Sequence, residues 1–154
     1  SDGVGMPLEP ALIFVNRTLK NYQVRKHIKV IASGKVLTSL DIIRAVAMGA
    51  DMCNNARGFM FSLGCIQALR CNTNECPAGV ATQNKMLIKG LDVTDKSERV
   101  YQFHKNTLHT CNELIGAAGR SSYSEVDATM FMRGDEFDHL ADQYFPDILR
   151  NVKH

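Results

Sequence analysis

The chain has 154 residues, of which 45% are hydrophobic, and its formal net charge is +2. That apolar content is enough for one globular domain or a piece of one, and the nearly balanced charge argues against binding to nucleic acid or to an anionic membrane. The sequence contains no apolar run of about 18 residues or more, so we expect no membrane-spanning helix. Its start shows no signal-peptide pattern.

The use of cysteine indicates a reducing compartment. The five cysteines are an odd number, and their spacing lacks the density of a secreted disulfide scaffold. We therefore expect a cytoplasmic protein. The chain begins at Ser1 without a methionine, which we interpret as a fragment or a processed product of something longer, with a lost initiator methionine as the alternative.

The first third of the chain alternates predicted helices and strands, namely helix 9–21, strand 28–32, helix 39–48 and strand 51–54. Thr38 or Ser39 is expected to cap the second helix, and Gly49 to end it. Helical crossovers of this length connect parallel strands and pack outside them. Because two strands do not make a stable sheet alone, we expect the missing strands upstream or in another chain.

The remainder of the chain is predicted to be mainly helical around a turn-rich segment. Helices are expected over 57–69, 96–118, 125–132 and 137–144. The long helix should turn one stripe of side chains toward the interior, formed by Val100, Phe103, Leu108, Cys111, Leu114 and Ile115. We interpret Cys111, on that stripe, and Cys53, in the second strand, as small core residues.

Three cysteines lie in the turn-rich segment with the spacing Cys-x5-Cys-x4-Cys-Pro, at Cys65, Cys71 and Cys76. Such a loop can curl around a metal centre and direct backbone N–H groups toward sulfur. Three thiolates without a fourth suit a [3Fe–4S] cluster better than a [4Fe–4S] cluster, or than zinc, which usually takes four ligands. Three ordinary buried thiols are the alternative interpretation.

Small and basic residues follow both predicted strands. They are Ser33, Gly34 and Lys35 after the first strand and Ala56, Arg57 and Gly58 after the second. Ligands of α/β proteins bind at the carboxyl ends of parallel strands, and small residues let the backbone approach an anion such as a phosphate group. Plain turns are the alternative, because glycine turns after strands are common.

These features follow one another in a fixed order that resembles a known family. A strand ending in Ser-Gly, a helix, a Gly-Ala-Asp strand, Leu-Gly-Cys and the cysteine loop lead into Ala-Thr-Gln at 81–83. This order resembles the C-terminal part of the FMN-binding synthase domain of glutamate synthase and of glutamate-synthase-related proteins. The resemblance extends over residues 4–119 and is densest over 31–83.

The resemblance implies an α/β fold that is the C-terminal portion of a (β/α)8 barrel, with two parallel strands, a cysteine-rich cluster loop and a long C-terminal helix. It assigns residues 1–120 to the barrel, with the iron–sulfur loop at 64–83, and leaves 121–154 as an unassigned helical tail. It also implies two cofactors, FMN and a [3Fe–4S] cluster. By resemblance, the residues at the FMN phosphate are Ser33, Gly34, Lys35, Ala56, Arg57 and Gly58, and the cluster ligands are Cys65, Cys71 and Cys76.

Two departures from the family pattern concern the phosphate loops. Lys35 stands where the family usually has a second glycine, and Ala56-Arg57-Gly58 replaces Gly-Thr-Gly or a similar sequence. The pattern is closer to the shorter glutamate-synthase-related proteins than to the large enzyme. The family's glutaminase domain, its upstream barrel strands and the residues that would bind 2-oxoglutarate are absent from this chain.

The resemblance implies an oxidoreductase that reduces the imine of 2-oxoglutarate and ammonia to glutamate, with electrons from an outside donor. The catalytic residues are unknown. An N-methylglutamate synthase-like FMN subunit and a non-catalytic electron-transfer or interaction fragment are the alternatives. The expected partners are the missing barrel portion, an electron donor protein, and 2-oxoglutarate with ammonia or glutamine, and we expect an oligomer.

Overall fold

A computed structural model describes residues 4–131. In chain order its helices and strands are α1 (Leu8–Asn21), β1 (Ile31–Ser33), α2 (Ser39–Ala47), β2 (Met52–Asn54), α3 (Ala56–Ser62) and α4 (Val93–Ala117). Short 3-10 turns lie at Arg25–His27, Ile88–Gly90, Tyr123–Glu125 and Ala128–Met130. The helix expected at 137–144 falls outside the described residues.

The α/β prediction with two parallel strands and a long helix is confirmed. Strands β1 and β2 pair in parallel, with Ala32 opposite Cys53 and Ser33 opposite Asn54. Helix α2 makes the crossover between them. Because the two strands end side by side, both groups of predicted phosphate-binding residues begin at the same edge of the sheet.

One face of the sheet is covered by helices and the other is open. Ala32 is fully buried and packs with Leu12, Ala45 and Ala50 in a small core under α1 and α2. Ile31 and Met52 point the other way, because side chains alternate along a strand, and each is about half exposed, at 52% and 50%. The described part of the chain therefore presents an apolar sheet face with nothing on it.

A second core joins α4 to α2. It is built on Ile43, Cys111 and Ile115, with Leu114 among the partly buried side chains around them. The burial predicted for the apolar stripe of α4 is confirmed at Cys111, Leu114 and Ile115 and is wrong at Leu108, which is 45% exposed. Between residues 4 and 131, α4 packs mainly against α2 and α3, so the rest of its surface stays open. None of the helices in that range is both long and apolar enough to cross a membrane.

Several predicted elements differ from the structure. Helix α3 ends at Ser62 rather than at residue 69, because Gly64 and then Gln67 and Leu69 adopt left-handed backbone angles that a helix cannot contain. Strand β1 begins at Ile31 rather than at residue 28. The described part of the segment predicted as helix 125–132 contains only short 3-10 turns.

Arg25 fastens three parts of this fold together. Its guanidinium donates to Asn16 Oδ1 on α1 at 2.9 Å, to the Gly49 carbonyl after α2 at 2.9 Å, and to Asp51 Oδ2 before β2 at 2.8 Å. The same Asp51 oxygen accepts from the N–H of Val30 at 2.7 Å. Charge-assisted hydrogen bonds of this kind are the stronger ones in proteins. Arg25 therefore holds in place the segments that lead into both strands.

A capping box begins α2 at Thr38, one of the two caps that the sequence predicted. The Thr38 hydroxyl accepts from the N–H of Asp41, while the Asp41 carboxylate accepts from the N–H of Thr38 at 2.9 Å and from that of Leu37 at 3.1 Å. Burial opposes the charge on Asp41, but these hydrogen bonds and the nearby Arg44 together lower its pKa. The charged form of Asp41 is therefore the one that stabilises the fold.

We expect Asp41→Asn to reduce the free energy of unfolding by about 1 kcal/mol at neutral pH, the usual size of a capping contribution. The folded-state pKa lies below the unfolded value of about 3.9, so this stabilisation is complete above that value and disappears as the pH falls through the folded pKa. Denaturant unfolding of both proteins from pH 7 down to about pH 3 measures it. A difference that stayed constant at low pH would contradict this role of Asp41.

Candidate functional site

The loop after β1 makes a tight turn through two left-handed residues. Gly34 has φ +137° and Lys35 has φ +57°. An L residue in the left-handed region costs about 1–2 kcal/mol, whereas glycine adopts it freely. The backbone at Lys35 therefore has the shape that suits the glycine expected from the family pattern, and the lysine is accommodated at a conformational cost.

A cavity of about 620 Å³ opens beside this loop. Its walls are the loop residues 33–36, the segment 4–11 that leads into α1, and one side of α2. Arg44 lines it and pairs with Glu9 at 2.6 Å between Nη2 and Oε1. The cavity contains all of the first predicted phosphate-binding group, Ser33 to Lys35, and none of the second.

Asn55 connects the two strand ends, and the sequence analysis missed it. Its side-chain Nδ2 donates to the carbonyl of Leu37 at 3.0 Å, and its Oδ1 accepts from the N–H of Gly58 at 3.0 Å. The residue is 8% exposed. One buried carboxamide thus holds the loop after β1 against the first turn of α3. The only signal in the sequence was its position just before a helix, where asparagine is a favoured cap.

This contact separates Gly58 from the other two residues of the second predicted phosphate-binding group. Ala56 and Arg57 are exposed on the first turn of α3, whereas Gly58 is buried and its N–H is bonded to Asn55. A Cβ at Gly58 would overlap Asn55 Oδ1 and lie 2.8 Å from Phe103 Cζ on α4. Glycine is therefore required at this position for close packing between α3 and α4.

We expect Gly58→Ala to lower the free energy of unfolding by about 1–3 kcal/mol, because the added methyl group must displace the Asn55 cap or Phe103. Gly116→Ala is the matched control, since that helical glycine has open space around its Cβ position. The control should raise stability by about 0.5–1 kcal/mol through helix propensity. Thermal and denaturant unfolding of both variants give the comparison. Equal effects at the two positions would contradict the packing role of Gly58.

The three loop cysteines differ in their surroundings. Cys76 is buried, Cys65 is partly buried and Cys71 is exposed. Among residues 4–131, no three His, Cys, Asp or Glu side chains are gathered as a metal-binding group. The structure thus places the three thiols on one segment without bringing them together, and the ligand set stays a prediction.

Cys76 has the surroundings of a thiolate. Its pKa is lowered, chiefly by a hydrogen bond from the backbone N–H of Ala81. Burial raises the pKa, but the N–H groups of Val80, Ala78 and Gly79 add to the lowering. Backbone N–H groups directed at sulfur are what iron–sulfur sites use to stabilise negative charge. The donor chemistry at Cys76 therefore fits a cluster ligand.

The other two cysteines have the opposite character. Burial raises the pKa of Cys111, which is fully buried and donates to the Ser39 carbonyl at 3.8 Å, and burial also raises the pKa of Cys53. Both thiols are held neutral and pack against apolar neighbours. Their interpretation as packing residues is confirmed for Cys111, and Cys53 is half-buried beside the first core.

Comparison with known proteins assigns the family. The model of the conserved region in glutamate synthase matches residues 1–121 of the chain. The chain therefore belongs to the glutamate synthase family. This match confirms the resemblance drawn from the order of the strand ends and the cysteine loop.

The relatives include shorter and longer members. The chain is 48% identical over 122 residues to the glutamate synthase large subunit-like protein YerD of Bacillus subtilis, covering 79% of the chain and 23% of that protein. It is 40% identical over 125 residues to the archaeal glutamate synthase [NADPH] of Methanocaldococcus jannaschii, covering 81% and 24%. It is 39% identical over 83 residues to the ferredoxin-dependent glutamate synthase 2 of Synechocystis, covering 54% and 5%. The chain spans about a quarter of the length of the first two relatives.

Proposed function

We propose that this chain is part of an FMN- and iron–sulfur-dependent oxidoreductase of the glutamate synthase type, which reduces the imine of 2-oxoglutarate and ammonia to glutamate. The observation that carries the proposal is the match of residues 1–121 to the conserved region in glutamate synthase, a stretch that includes both strand ends and the loop of Cys65, Cys71 and Cys76. The proposal has three parts, which concern the barrel, the flavin and the cluster.

The first part is that β1 and β2 are strands of a (β/α)8 barrel whose other strands come from the same precursor or from another chain. Among residues 4–131, helices cover one face of this sheet, and Ile31 and Met52 make the other face apolar and about half exposed. A barrel fills that interior with side chains from its other strands. The full assembly is therefore larger than this chain, and we include an oligomer and an electron donor protein among its partners.

The second part is that the strand ends bind the phosphate of FMN. Ser33, Gly34 and Lys35 line the cavity, and Ala56 and Arg57 begin α3, whose first turn is joined to the loop after β1 by the hydrogen bonds of Asn55. The first N–H groups of a helix have no partner within it, and small residues allow close approach of an anion. When bound, FMN supplies hydride transfer. Gly58 contributes by packing, because its N–H is bonded to Asn55.

The third part is that Cys65, Cys71 and Cys76 ligate a [3Fe–4S] cluster. The donor chemistry fits, since three thiols lie on one segment and one of them is already in an N–H-rich site. When bound, the cluster supplies one-electron transfer between an outside donor and the flavin. The chain's own task is to hold the thiols, exclude water from Cys76 and direct backbone N–H groups toward its sulfur.

The proposal is tested on the native assembly, purified anaerobically from its source with a tag on this chain. We expect FMN and about three iron atoms per chain, with flavin absorption bands above a broad iron–sulfur absorption. Adding 2-oxoglutarate with ammonia or glutamine should reoxidise the reduced flavin and yield glutamate. Iron without flavin would contradict the FMN part. Reoxidation by 2-oxoglutarate with methylamine, but not with ammonia or glutamine, would contradict the proposed substrate, because the imine of methylamine would then be the electron acceptor.

We expect Cys65→Ala, Cys71→Ala and Cys76→Ala each to lower the bound iron at least tenfold, because a loss of one of three ligands removes a metal–thiolate bond. Cys53→Ala is the matched control, since that thiol packs beside the first core and its pKa is raised by burial. The control should keep wild-type iron and the wild-type cluster absorption. Iron content by mass spectrometry of the metal is the measurement, and unchanged iron in any loop variant would remove that cysteine from the ligand set.

A further inference from the structure

Two polar side chains join the ends of the segment that contains Cys76. The Thr82 hydroxyl donates to the Asn74 carbonyl at 2.6 Å, and the N–H of Gln83 donates to Asn74 Oδ1, also at 2.6 Å. Thr82 Oγ1 also lies 3.3 Å from Asn74 Oδ1. Asn74 has φ +63°, a left-handed conformation that asparagine tolerates better than most residues. We call this set of contacts the Asn74–Thr82 clasp.

The clasp encloses Cys76 and the residues that follow it. Cys76 is buried, and it lies with residues 78–81 between the two ends of the clasp. Gly79 is buried, with φ +73°, and a Cβ there would overlap the Leu87 carbonyl, so the segment is also packed tightly against the turn before α4. The segment is therefore fixed at its two ends and at its middle.

We propose that Asn74 and Thr82 are positioning residues, which hold the two ends of the segment around the buried Cys76 together and so control how firmly the cluster is retained and its reduction potential. This inference rests on the proposed function. Neither residue is proposed to touch iron. Their effect passes through the backbone, since release of Gln83 N–H and of the Asn74 carbonyl would let the two ends of the loop separate.

The clasp is tested with Asn74→Ala, Thr82→Val and the conservative Thr82→Ser in the anaerobically purified assembly. Loss of a hydrogen-bonding partner outside the ligand set typically costs about 10–100-fold in metal affinity. We therefore expect iron release into a chelator to be about tenfold faster in Asn74→Ala and Thr82→Val, with a shifted reduction potential of the remaining cluster. Thr82→Ser keeps the hydroxyl and should behave as wild type.

Asn72→Ala is the control, because Asn72 lies on the same exposed loop and its side chain makes no hydrogen bond with the described residues. It should release iron at the wild-type rate. Amide hydrogen exchange measures whether the clasp is closed and does not depend on activity. Protection of the Gln83 N–H against exchange should fall about tenfold in Asn74→Ala. Unchanged exchange in helix α4 would show that the variant is folded.

Each outcome has a defined meaning. Faster iron release in Asn74→Ala and Thr82→Val, lower Gln83 protection in Asn74→Ala, and wild-type behaviour of Thr82→Ser support the proposal. A wild-type assembly that holds iron, with variants that hold it equally well, would overturn the clasp and leave the cluster itself intact. A wild-type assembly without iron would overturn the cluster, and the proposed positioning role with it.

Discussion

The buried carboxamide of Asn55 is the contact on which the arrangement of the candidate site depends. Two parallel strands end side by side, and each leads into its own loop. The pairing of the strands does not by itself orient these loops. Asn55 donates to the Leu37 carbonyl, 18 residues away in the sequence, and accepts from the N–H of Gly58. A buried amide that is bonded through both its nitrogen and its oxygen fixes geometry more strongly than an exposed one, because water competes little for its partners.

Local signals in the sequence predicted much of the fold. Thr38 caps α2, and Gly49 follows that helix, because capping depends on neighbours a few residues away. The parallel pairing followed from helical crossovers between short strands, and Cys111 was placed in the core by its helical spacing. The family assignment came from the order of the strand ends and the cysteine loop, which the comparison confirms.

The remaining features depended on contacts that spacing does not encode. Asn55 and Asn74 both precede turns, where asparagine is common, so their bonds to distant backbone groups were not visible in the pattern. Leu108 fits the apolar stripe of α4 and is nevertheless exposed, because α4 packs mainly against α2 and α3 among the described residues. The early end of α3 comes from Gly64, whose left-handed backbone closes the helix. This glycine was a visible signal that the predicted helix overran. The left-handed backbone at Gln67 and Leu69, further along, was not visible, because neither residue favours it.

The lysine at position 35 also changes the electrostatics of the cavity beside β1. Besides Lys35, the charged residues described on its walls are Glu9 and Asp41, with two negative charges, and Arg44, with one positive charge. With glycine at position 35 the wall would be net negative and would repel a phosphate dianion. Lys35 makes the wall neutral. Its left-handed backbone is energetically unfavourable, but its positive charge lets an anion approach.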